Sequence, residues 1–161
     1  MKSFFAVLLG ALLCAGPSFA DQVVKVDKPA FTLTLYEEGV ELGQWSVALG
    51  KNLGQKQRRG DCRTPQGAFT LVSRQDASKW WHDFGDGKGP IPGAYGPLFL
   101  RLQTPPFKGI GIHGTHDPSS IGTRATEGCI RMKNEDLLAF ASLVRDGASV
   151  VISDEEGRFM Q

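Results

Sequence analysis

The chain has 161 residues, 41% of them hydrophobic and 22% charged, with 18 Lys and Arg against 17 Asp and Glu. That length accommodates one compact domain with a modest core, and the charge balance lacks the basic excess that a nucleic-acid-binding surface needs. Twenty glycines and nine prolines, most of them between residues 50 and 128, point to long structured loops and not to disorder.

Residues 1–20, MKSFFAVLLGALLCAGPSFA, read as a secretory leader. Lys2 supplies the positive start, Phe4 to Leu13 the apolar run, and Ser18-Phe19-Ala20 a small-x-small cleavage site before Asp21. The run is too short to span a bilayer, so no transmembrane segment is expected. Leu13 before Cys14 disfavours a lipoprotein signal. The expectation is a single domain over residues 21–161, released to the periplasm or an equivalent extracytoplasmic envelope. Cys62 and Cys129 remain in it, which leaves a single structural disulfide open as a bland explanation of both.

The mature chain opens with period-two alternation. Val24 and Val26, then Phe31, Leu33 and Leu35, then Trp45, Val47 and Leu49 alternate with polar residues, and YEEGV makes a hairpin connection in which Gly39 takes a positive φ. Residues 50–67 are a glycine- and charge-rich loop, followed by a strand over 68–73. Residues 74–96 read mostly as loop, with Trp80, Trp81, Phe84 and Tyr95 as aromatic plugs. Strands are expected over 98–102 and up to His113. One helix is expected in NEDLLAFASLVRDGA, capped by Asn134 and stopped at Gly147, with Leu137, Phe140, Ala141 and Val144 on its buried face. SVVISD is a final strand. The fold class is therefore mainly β, a β-sandwich of mixed sheets with one main α-helix.

The chemistry concentrates in GIHGTHDPSSIGTRATEGCIRM. A thiol nucleophile needs an imidazole beside it and donors for a developing oxyanion. Cys129 and His113 supply the first two. The amides of Gly128 and Cys129 could supply the donors, and Arg131 could hold a carboxylate or favour the thiolate. His116 is a second imidazole, either a surface group, a supporting contact or the base itself. His113, His116, Asp117 and Cys129 are also the residue types of a zinc site, but no HExxH or CxxC spacing accompanies them, so neither metal nor cofactor is expected.

His113-Gly114-Thr115 followed by Thr126-x-Gly128-Cys129-Ile130-Arg131 resembles the signature of the L,D-transpeptidase catalytic domain (YkuD) family, and Gly60-Asp61-x-x-Thr64-Pro65-x-Gly67 resembles its upstream motif. The resemblance covers nearly all of the mature chain. It implies an enzyme that acts on peptidoglycan stem peptides. Cys129 would attack the carbonyl at the L-centre of meso-diaminopimelate, expel the terminal D-alanine and pass the acyl group to an amine of another stem as a 3-3 crosslink. His113 would be the base, oriented by the Gly114 carbonyl, and Gly128 and Cys129 would form the oxyanion hole. Arg131, Thr126, His116 and Thr115 would contact substrate. Water as acceptor would make an L,D-carboxypeptidase; a lipoprotein lysine or a D-amino acid is a further acceptor class. A silent cell-wall binding module is the alternative outside enzymology. Two departures stand out: Glu127 occupies a position where many relatives carry histidine, and is expected to face solvent or to pair with Arg124 or Arg131; Cys62 lies inside the upstream motif, where it could bridge Cys129.

Overall fold

The computed structural model describes residues 21–160; the expected leader lies outside the described residues. Twelve strands and one α-helix follow in chain order: β1 Gln22–Asp27, β2 Thr32–Glu37, β3 Val40–Ser46, β4 Leu49–Gly50, β5 Gly67–Asp76, β6 Trp81–His82, β7 Ile91–Pro92, β8 Leu98–Gln103, β9 Gly111–His113, β10 Arg124–Thr126, β11 Ile130–Arg131, α1 Asn134–Leu143 and β12 Ser149–Ile152. Eight strands form one mixed sheet in the order β11-β9-β8-β5-β12-β1-β2-β3; β10 with β4 and β6 with β7 make two-stranded sheets. The β1–β12, β9–β11 and β4–β10 pairs are parallel and the remainder antiparallel. The mainly β class with mixed sheets and one main helix is as expected.

The alternation read in the opening residues is what buries one face. Val24, Val26, Leu33 and Leu35 are fully buried and join Leu71, Leu100, Ile112, Ile130, Val150 and Ile152 in a single core cluster. Each such side chain contributes roughly 1.5–3 kcal/mol when taken out of water. Between β2 and β3, Glu38 and Gly39 have φ of 49° and 79°. This is the two-residue turn with both φ positive whose twist matches a hairpin.

The helix lies over the core through Leu137, Phe140 and Ala141, and Trp45 meets Phe140 edge-on at 5.5 Å. Its ends differ from expectation. The N-cap position is Lys133, without a side-chain cap, and Asn134 is the first helical residue. The Asn134 carboxamide is turned outward instead, where Oδ1 accepts the Thr115 N–H at 2.8 Å. At the other end the chain leaves the helix at Val144, whose ψ of 147° is extended, three residues before Gly147. The loop expected over 74–96 is shortened by β5, which runs to Asp76, and carries the β6–β7 hairpin. Trp80 packs against Tyr95 and Phe99 as a plug, whereas Trp81 is exposed.

Candidate active site

Parallel pairing of β9 and β11 sets Ile112 opposite Ile130 and His113 opposite Arg131. The two isoleucines are fully buried in the core. By the two-residue period of a strand, His113 and Arg131 face the other way. Cys129 immediately precedes β11, at the level of Gly111, and so shares their face. All three line an open cleft of about 760 Å³. Its walls are the loop carrying Lys56, Arg59 and Cys62, the segment Pro106 to Ile110, and His82, Phe84 and Tyr95 from the hairpin side.

The cysteine turn is shaped by its neighbours. Thr126 Oγ1 donates to the Cys129 carbonyl at 2.7 Å and accepts the Gly128 N–H at 3.1 Å. Gly128 has φ +129°, and a Cβ there would stand 2.8 Å from the Arg63 carbonyl oxygen. Only glycine fits on both counts. The Gly128 N–H is thus already engaged by Thr126. The thiol is half-buried, with Sγ 3.4 Å from the Gly109 carbonyl. Burial pushes it up to about 11, opposed in part by the Gly111 N–H and the charges of Lys56 and Arg101.

His113 is buried between rings: Phe99 stacks on it at 5.6 Å and Tyr95 meets it edge-on at 4.9 Å. Its Nδ1 lies 2.7 Å from the Gly114 carbonyl oxygen. A carbonyl only accepts, so Nδ1 carries the proton and Nε2 keeps the lone pair. Burial, with the positive charge of Arg131, brings the imidazole down to about 3 despite that hydrogen bond. At neutral pH the cleft therefore holds a thiol and a neutral imidazole.

Gly114 and Thr115 shape this turn from behind the cleft. A Cβ on Gly114 would lie 2.2 Å from Asn134 Oδ1 and 3.0 Å from the Gly96 Cα. The Thr115 hydroxyl accepts the Asp117 N–H at 2.8 Å. Thr115 is buried in that turn and outside the cleft lining. His116 is also outside it: the ring is exposed, against Phe84 at 5.5 Å. Neither belongs to the lining that Cys129 and His113 share. Arg131 is buried; Nη1 donates to Ser120 Oγ at 2.9 Å, and Nε has no hydrogen-bond partner. Burial lowers its pKa, opposed by Asp117.

Glu127 is exposed as anticipated, but its partner is neither arginine: Oε2 lies 3.0 Å from His82 Nε2. Arg124 is taken by Glu155 and Arg131 by Ser120. His82 is a cleft residue that the motifs did not expose. The only signal in the sequence was an isolated histidine among aromatics and glycines.

The upstream motif forms one wall by winding on a carboxylate. Asp61 accepts Lys56 Nζ at 2.7 Å and the N–H groups of Gln57, Arg58 and Arg63. The Lys56 ammonium and these amides hold its carboxyl well below the usual carboxylate range, although burial pushes the other way. Thr64 Oγ1 accepts the Gly50 N–H, while Gly50 pairs with Thr126 across β4 and β10. The two motifs, whose Thr64 and Thr126 are 62 residues apart in the chain, thus meet at one glycine. Cys62 and Cys129 both line the cleft and both are free thiols. Among the described residues no group of three His, Cys, Asp or Glu is placed to hold a metal ion, and no helix is long and apolar enough to cross a membrane.

A cysteine and a histidine thus share one cleft, with a mixed sheet behind them. The family profile of the L,D-transpeptidase catalytic domain (YkuD) matches residues 21–152, and the chain belongs to that family. The protein YkuD of Bacillus licheniformis is 38% identical over 123 residues, 76% of this chain and 59% of its own length. YkuD of Bacillus subtilis is 34% identical over 130 residues, 81% of this chain and 65% of its own, so the chain spans less than two thirds of either relative. Among solved structures, the helical cell shape determining protein Pgp2 from Campylobacter jejuni superposes with a TM-score of 0.66 at 24% identity, over 88% of this chain and 50% of that one. That likeness is one of fold.

Proposed function

We propose that the chain is a peptidoglycan L,D-transpeptidase of the cell envelope, delivered there by the leader in residues 1–20. The observation that carries this reading is the shared face of β9 and β11, which presents Cys129 and a His113 whose Nδ1 is pinned by the Gly114 carbonyl. As Cys129 attacks the diaminopimelate carbonyl, His113 Nε2 takes the thiol proton. It then gives that proton to the departing D-alanine amine, and a thioester remains. Charge on the carbonyl oxygen would be met by the Cys129 N–H. Arg131 lines the cleft, and its guanidinium suits a substrate carboxylate, since a partly desolvated guanidinium gains most from an anionic acceptor. Thr126 holds the cysteine turn and also lines the cleft, where substrate would meet it. An amine from a second stem then takes the acyl group; water in its place would give a carboxypeptidase.

The test is Cys129→Ser assayed on tetrapeptide stems. Loss of D-alanine release is expected, and release at the unaltered rate overturns the reading. Separating the muropeptide products into crosslinked dimer and bare tripeptide identifies the acceptor.

A further inference from the structure

The cleft contains a second chain of acid-base groups that the step above leaves unused. Glu127 Oε2, His82 Nε2, His82 Nδ1 and the Tyr95 hydroxyl follow one another at 3.0 and 3.1 Å. All three residues line the cleft alongside Cys129. The His82 ring is fixed by edge contacts with Phe84 at 4.5 Å and Tyr95 at 5.6 Å, and the Tyr95 ring meets His113. Donor counting gives the chain a direction. A carboxylate only accepts, so His82 donates from Nε2; in the tautomer with its proton there, Nδ1 accepts and Tyr95 donates its hydroxyl proton to it. The phenol oxygen is left with lone pairs for a ligand's proton. Burial, with the negative charge of Glu127, raises the Tyr95 pKa, which keeps the phenol protonated.

Resting on the reading of Cys129 as an acyl-carrying thiol, we propose that Tyr95, backed by His82 and Glu127, takes the first proton from the incoming amine during deacylation. The chemical need is definite. An aliphatic amine arrives at neutral pH as an ammonium and must shed one proton before it can attack and a second as the amide forms. His113, buried and with a single lone pair, serves the second. In the first step the ammonium proton passes to Tyr95 Oη while the Tyr95 proton moves to His82 Nδ1, giving an imidazolium paired with Glu127. The neutral amine adds to the thioester carbonyl. Its second proton goes through His113 Nε2 to the Cys129 sulfur as the C–S bond breaks. His82 then returns its proton to solvent at its exposed edge. Tyr95 touches the acceptor; His82 and Glu127 are positioning residues that act through it.

The experiment separates basicity from architecture. The full chain is loaded with acyl group from a tetrapeptide stem, the adduct is verified by mass, and its decay is timed with a D-amino acid or with hydroxylamine, which is already unprotonated at neutral pH. In His82→Gln, Glu127→Gln and Tyr95→Phe, decay with the D-amino acid is expected to slow by about 100-fold, the usual size of a lost general base, and decay with hydroxylamine far less. Tyr95→Phe keeps the ring against Trp80, Phe99 and His113, so its circular dichroism should match the parent. Equal slowing with both acceptors, no slowing with either, or a parent chain whose adduct the D-amino acid does not consume would each overturn the relay. A parent chain that forms no adduct overturns the thiol reading itself, and the relay with it.

Discussion

Cys129, His113 and Arg131 face the cleft because the β9–β11 register turns them there. Lys56, Arg59 and Cys62 face it because a loop is wound on the Asp61 carboxylate. On the floor, the facing of each residue follows from a period of two and from Ile112 and Ile130 anchored in the core. In the wall there is no period; position rests on a few polar bonds that depend on the charge of Asp61. The floor should therefore tolerate loss of a single polar contact, while the wall should not.

Asp61→Asn gives the largest expected effect on stability. It leaves the Lys56 ammonium, itself buried, without its anion and weakens three amide bonds. The expected loss is about 3 kcal/mol, at the low end for a broken buried pair because the site borders the cleft. Denaturant unfolding measures it; a loss no larger than for a surface substitution would put the wall on the same footing as the floor. The carboxyl's lowered pKa fixes the sign with pH: its contribution is present above about pH 4 and fades as pH falls below that.

Gly128→Ala tests the junction of floor and wall. With φ +129° and the Arg63 carbonyl 2.8 Å from the new Cβ, it should cost about 1–3 kcal/mol and displace Cys129. Turnover should fall by more than the melting shift alone explains.

The floor contributes least near neutral pH, and its effect is seen in acid. His113 is held near 3 when folded against 6.5 when free, so between these values the unfolded chain binds the extra proton and stability falls as pH falls. The slope reaches about 1.4 kcal/mol per pH unit. His113→Gln should flatten the stability curve between pH 6 and 4, and a parallel curve would show that His113 is not buried in neutral form.

The floor was legible in the sequence and the hairpin side was not, for the same physical reason. His113, Cys129 and Arg131 sit in short motifs beside β-branched residues whose alternation dictates facing. His82 and Glu127, 45 residues apart, are joined only by the fold, and nothing in WWHDFGDG indicates a carboxylate partner. Asn134 shows the converse error. Its type and place match a helix cap, yet the close approach of Gly96 and Gly114 leaves a slot where Thr115 offers a donor, and that tertiary partner prevails over the local one. The same lesson holds for the helix end, where Val144 turns extended into the core before Gly147 can act.

Gly50 gives the cleft a gauge. A Cβ at that position would stand 2.5 Å from the Cys62 carbonyl oxygen and 2.7 Å from the Thr64 nitrogen. A bulkier residue there would thus prise the upstream loop away from the cysteine turn while the sheet behind stayed shut. How closely the wall that carries Cys62 approaches β4 is set by the one side chain that is missing from that strand.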